Sequence, residues 1–233
     1  MRLYETKKLH YGKYLYKLVV VNSCAAYFRT EFQPKGDFKH CRSRLDELHQ
    51  LYKPGVLTLK VPWGSWGTSN RFHDTIPVEH FFDAIDIYRH LKKQTNYKIR
   101  VEQNCLHIYS NDRKMLVELG NKLRQRYTEF WEPNPENVEL LNNSKNIIVV
   151  NKTPEFEYKI TLGKLRGNPS LAKWIEKNPK LAKMGHVALE ECYNNGWVKG
   201  YYFYVRDQKT LTIAQLLVGD NIQRVDKFVQ VSS

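Results

Sequence analysis

Tyr109-Ser110-Asn111-Asp112-Arg113-Lys114-Met115-Leu116 and Tyr204-Val205-Arg206-Asp207-Gln208-Lys209-Thr210-Leu211 share the pattern Y-x-x-D-x-K-x-L, 95 residues apart. In each, a run of aromatic and branched residues that favours a strand ends at the tyrosine. Three residues later stands an aspartate, whose carboxylate can accept the orphan N–H groups of a starting helix. Helical apolar spacing follows, over 113–126 in one copy and 210–218 in the other. A shorter echo, Tyr16-Lys17-Leu18 against Tyr158-Lys159-Ile160, lies upstream in both. The chain therefore reads as two diverged copies of one unit.

Working outward, the first copy reads as a strand over 14–21, with 2–9 folded back on it across 10–13. A helix follows over 38–52, closed by Lys53-Pro54-Gly55, and a strand over 56–61. A helix then runs from 77 or 78 to 93, with Thr75 in its cap region. A hairpin over 97–102 and 106–109 turns at Gln103-Asn104, and Asn111-Asp112 opens the last helix. The second copy reads as strands at 147–150 and 156–162 and a helix at 170–177, stopped by Asn178-Pro179. A helix at 187–194, a strand at 200–205, a helix closed by Gly219 and a strand at 222–229 complete it. Strand–helix–strand–strand–helix–strand, written twice, predicts an α+β fold of two diverged ferredoxin-like (split β-α-β) halves with antiparallel sheets. The first half holds extra material over 53–96. Glu129-Phe130-Trp131-Glu132-Pro133-Asn134-Pro135-Glu136 is acidic, contains two prolines and reads as a linker. The expected domains are 1–131 and 146–233, joined by a linker over 132–145.

The chain of 233 residues has 37 Lys and Arg against 24 Asp and Glu, a formal net charge of +13. The excess sits in residues 1–100 and again after 151, whereas 101–150 hold six basic and seven acidic side chains. A field of this sign attracts polyanions, which makes DNA or RNA the expected partner. An acidic protein or a larger assembly is the other class such a surface serves. No apolar run approaches the roughly 20 residues of a spanning helix, and no basic amphipathic helix points to a membrane surface. Cys24, Cys41, Cys105 and Cys192 form no CxxC pair and read as free thiols. With no signal-like apolar start, these features predict a cytoplasmic protein, nuclear or virion-associated where the host provides it.

Four clusters could hold a nucleic acid. In the loop at 62–73, Trp63 and Trp66 stand among glycines just before Arg71. Exposed indoles offer stacking faces, and Arg71 a two-pronged donor for phosphate; the same tryptophans would serve equally as core. Gly163-Lys164-Leu165-Arg166-Gly167 sets Lys164 and Arg166 before a helix N-terminus, an arrangement suited to an anion. Lys39 and Arg42, three apart, share a helix face. Alternation along Tyr201-Tyr202-Phe203-Tyr204 turns Tyr202 and Tyr204 to the same side of a strand, where they would project outward to stack on bases or serve equally as core.

For catalysis, Glu79, Asp83 and Asp86 fall on one helical stripe, opposite apolar Val78, Phe82, Ile85 and Leu91. Such carboxylates could hold Mg²⁺ for phosphodiester cleavage, and a polar outer face would look the same. Histidine and cysteine spacings fit no zinc site. No phosphate-binding glycine loop or nucleophile elbow occurs, and no cofactor is implied. The expectation is non-catalytic nucleic-acid binding. A metal-dependent nuclease and a viral structural or assembly protein with a basic interface are the alternatives.

Overall fold

Alternating apolar residues build the first sheet, and one residue type per face decides what covers it. The computed structural model describes residues 1–29, 38–61, 75–124 and 128–231. Its elements begin with β1 (Arg2–Glu5) and β2 (Tyr16–Val21), where Leu18 and Val20 face the core. Next come α1 (Lys39–Leu51), β3 (Thr58–Lys60), β4 (Thr75–Pro77) and α2 (Val78–Leu91). The hairpin β5 (Tyr97–Glu102) and β6 (Cys105–Ser110) turns through Gln103, which has φ of +52°. After α3 (Arg113–Lys122) the sheet closes with β7 (Thr128–Glu132). The strand order is β1-β7-β2-β6-β5, antiparallel except for β1 against β7.

The second sheet follows the same path. α4 (Val138–Asn143) leads to β8 (Ile147–Val150) and β9 (Tyr158–Leu162), then α5 (Pro169–Lys177) and β10 (Ala182–Met184). α6 (His186–Tyr193), β11 (Tyr202–Val205), α7 (Gln208–Val218) and β12 (Ile222–Gln230) complete it. Its order is β10-β11-β9-β12-β8, antiparallel except for β8 against β12. Element by element, β8, β9, β10, β11 and β12 stand where β1, β2, β5, β6 and β7 stand in the first sheet. The registers agree as well. Lys17 faces Tyr109 across β2 and β6, and Lys159 faces Tyr204 across β9 and β11.

Both repeated aspartates do what their position demands. The Asp112 carboxylate accepts from the Met115 amide at 2.9 Å and opens α3. That of Asp207 accepts from the Thr210 amide and hydroxyl, both at 2.8 Å, and opens α7. At the far end Gly219, with φ of +58°, ends α7 in a conformation that costs a side-chain-bearing residue strain. Each sheet buries one face. Leu18, Leu106, Ile108 and Phe130 pack with α1, α2 and α3, while Ile160, Leu162, Phe203 and Val205 pack with α5, α6 and α7. Each wholly buried side chain of this size contributes about 1.5–3 kcal/mol.

The chain divides into two compact units, Met1–Thr6 with Lys13–Asn134, and Lys7–Gly12 with Pro135–Ser233. Three local expectations give way. Residues 2–5 do not fold back on β2; they run parallel to β7, while residues 7–12 leave for the other unit. The acidic span read as a linker begins inside a sheet. Phe130 is fully buried at the centre of β7, and Pro133 and Pro135 stand past the strand's end, where no ladder bond is needed. Beyond it, residues 135–143 form a 3-10 turn and α4. Thr75 does not cap α2, because it lies in β4 and Pro77 precedes the helix. No helix among the described residues is long and apolar enough to cross a membrane.

Candidate nucleic-acid interface

Strand alternation decides which side chains of the second sheet turn away from α5, α6 and α7. On β11, Phe203 and Val205 face the helices, so Tyr202 and Tyr204 face the opposite side. Cross-strand register adds Lys159 and Thr161 of β9, Lys183 of β10 and Arg224 of β12 to that side. Lys183, Tyr204 and Lys159 stand in one row, with Tyr202, Thr161 and Arg224 in the next.

Aromatic rings fill the middle of this face. The Tyr202 and Tyr204 ring centroids lie 5.5 Å apart, their planes inclined at 71°. Tyr204 also meets Phe228 at 6.0 Å and Phe156 at 6.4 Å. Lys159 Nζ sits 3.7 Å from the Tyr202 centroid, a cation over a ring face. Tyr202 is 43% exposed and Tyr204 half-buried. Burial, with Tyr202 as neighbour, raises the Tyr204 phenol above its ordinary value, so it stays a neutral donor.

One edge of the face is closed. Asp226 on β12 is fully buried, and its Oδ2 accepts from Lys8 and from Arg224 Nε at 3.0 Å. Lys7 holds the same segment to the sheet by accepting from the Val149 amide at 2.8 Å. Burial lowers the Lys8 ammonium against the pull of Asp226. The strap thus covers the β12–β8 side.

The expected anion loop at 163–168 is rigidly tied, though not as a phosphate cradle. Asn168 caps α5 by accepting from the Ser170 amide at 2.8 Å, which uses the helix N-terminus. The Asn221 side chain accepts from the Leu165 amide at 3.0 Å. A Cβ on Gly167 would come within 2.5 Å of the Cys192 Cα, so the loop backbone lies flush against α6. Lys164 and Arg166 are both exposed. The Arg166 guanidinium lies 4.9 Å from the centroid of Trp197 and donates to the Asn195 carbonyl at 3.1 Å. No motif marks Trp197, Lys183 or Arg224, and the repeat marks Lys159 without assigning it to a site. Alternation in Tyr158-Lys159-Ile160-Thr161-Leu162 marks Lys159, and the turn-forming Asn194-Asn195-Gly196 marks Trp197 as a surface residue.

The remaining candidates fall elsewhere. Trp63, Trp66 and Arg71 lie outside the described residues. Lys39 and Arg42 occupy the first turn of α1 in the other unit, where Arg42 reaches Asp46 at 3.6 Å. Glu79, Asp83 and Asp86 do not form an outward stripe. Asp83 is fully buried and accepts from the Arg124 amide at 2.9 Å and guanidinium at 3.1 Å. Asp86 takes the same guanidinium at 2.8 Å, and Glu79 is exposed. The buried face of α2 runs through Phe81, Ala84, Ile87 and Leu91; of the expected stripe Leu91 lies on it, while Val78, Phe82 and Ile85 are partly buried at its side. Among the described residues, no three His, Cys, Asp or Glu side chains converge as metal ligands.

The matching face of the first sheet is built differently. His107 stands where Tyr202 stands, and Tyr109, the counterpart of Tyr204, is buried. Trp131, where the second unit has Asp226, is covered by Tyr4 stacked at 4.9 Å and by Lys17 at 4.7 Å. Carboxylates Glu102 and Glu129 occupy this face as well. Compared with protein-family models, curated proteins and solved structures, the chain matches none.

Proposed function

We propose that the chain binds single-stranded nucleic acid on the sheet face of its second unit, as a binding protein rather than an enzyme. Tyr202 and Tyr204 would stack on bases, with Lys159, Lys183 and Arg224 meeting phosphates. One observation supports this above all: two neighbouring tyrosines share the face turned away from the helices, among cations from three strands. Their geometry favours a single strand. Rings inclined at 71° cannot both lie flat on bases that are parallel to one another, as duplex bases are. A 5.5 Å separation also exceeds the roughly 3.4 Å step between stacked bases of one strand. Two bases can use both rings only when splayed apart, which a single strand allows.

The path of each unit, read as a diverged split β-α-β module, agrees with this use, because such modules present single strands to the sheet. The net charge of +13 supplies long-range attraction. Tyr202→Ala and Tyr204→Ala are each expected to weaken binding of an unstructured oligonucleotide by about 5- to 150-fold, from about 1–3 kcal/mol per stacked base. Titration of the folded variants by fluorescence anisotropy measures this. Unchanged affinity in the double variant would refute the assignment of the site.

A further inference from the structure

We infer that Trp197, held by Arg166, is a further base-stacking position that extends the single-strand site beyond the end of β11; this rests on the function proposed above. The backbone leads there. β9 pairs with β11 as far as Thr161 and Tyr202, and the ladder resumes past a turn as a bridge between Arg166 and Trp197. Between them the Leu162 amide donates to Tyr201 and the Gly200 amide to Leu162, so the two chain segments stay together throughout. Val198 is fully buried in the core with α5 and α6. Its neighbour Trp197 therefore turns away from that core, where it is exposed.

Trp197 is 64% exposed, an unusual state for the largest side chain. It is also held in place. The guanidinium of Arg166 lies 4.9 Å from its centroid and is itself anchored on the Asn195 carbonyl. The loop beneath Arg166 is fixed by the contact of Gly167 with Cys192 and by the donation of the Gly167 amide to Gly196 at 2.8 Å. A large exposed ring that is already ordered loses little freedom when a flat partner stacks on it. Lys164 and Lys199, both exposed, stand two residues from Arg166 and from Trp197 in the chain. A planar ring with the Arg166 cation beside it fits a nucleobase and its phosphate.

The test titrates wild type, Trp197→Ala, Trp197→Phe and Tyr202→Ala with a short oligothymidylate and with one about three times its length. Trp197→Ala is expected to weaken the long oligonucleotide about 5- to 150-fold and to leave the short one, held on Tyr202 and Tyr204, nearly unchanged. Trp197→Phe keeps a stacking ring and should retain most of the affinity. An unaltered circular-dichroism melt separates these effects from unfolding. Equal affinity of Trp197→Ala and wild type for the long oligonucleotide, with Tyr202→Ala weakened, would overturn the extension alone. Failure of wild type to bind either oligonucleotide at low salt would overturn the sheet-face reading and the extension together.

Discussion

Single side chains in this protein are placed by the partners they must satisfy. His80 accepts the Ser23 amide on Nδ1 at 3.1 Å, with the Ser23 hydroxyl at 3.0 Å, so this nitrogen carries no proton. Burial lowers the His80 pKa, against the opposing pull of Glu79 and Asp83. On acidification below about pH 6.5 the unfolded chain takes up this proton before the folded one does. Stability therefore falls from that pH down to the lowered folded value, and His90 and His107, also lowered by burial, act in the same sense. The midpoint of thermal unfolding should drop between pH 7 and pH 5, and less so in His80→Asn, whose amide oxygen can still accept from Ser23. An equal drop in both proteins would show that His80 does not contribute. Asp83 makes a second such case. Asp83→Ala strands the Arg124 amide and is expected to cost about 1–3 kcal/mol. Chemical denaturation of that variant, with Asp86→Ala as the milder comparison, measures it. The sequence marked Asp83 only as one of three helical carboxylates, because no local pattern announces an arginine 41 residues away.

Elements were legible where local chemistry fixes their ends. Asp112 and Asp207 cap α3 and α7, Gly219 ends α7, and Gln103 turns the β5–β6 hairpin, all at or next to the positions that cap and turn preferences select. Asp207→Ala should cost about 0.5–2 kcal/mol, since the Thr210 amide and hydroxyl both lose their acceptor; a two-state melt with no loss would contradict that role. Illegible elements are those fixed by distant partners. β1 found β7 rather than its neighbour β2, and three-residue β10 owes its existence to β11. In β7, two glutamates and the following prolines masked a strand whose one apolar core residue is Phe130, beside buried Thr128. Of the site, alternation puts Tyr202 and Tyr204 on one side of β11; that this side faces away from the helices follows only once Phe203 and Val205 are seen in the core. Lys183 and Arg224 join them only through register across four strands, which one sequence does not display.

At the scale of the whole molecule, two units trace the same path yet treat the faces turned away from α1–α3 and from α5–α7 differently. Keeping Lys17 and Lys159 in one register while exchanging His107 for Tyr202 gives the second face its neighbouring tyrosine pair, whereas the exposed ring of the first, Tyr4, lies stacked on Trp131. The uneven charge follows suit, with nine basic and five acidic residues over 151–200. The most direct test of binding at that face is the anisotropy of labelled single- and double-stranded oligonucleotides on the intact protein, across a salt series. A single strand should bind more tightly than a duplex of the same sequence. Its affinity should fall linearly in log salt, with a slope of about −2 if Lys159, Lys183 and Arg224 each meet one phosphate. Absence of binding at low salt, or a duplex bound more tightly than the single strand, would contradict the account.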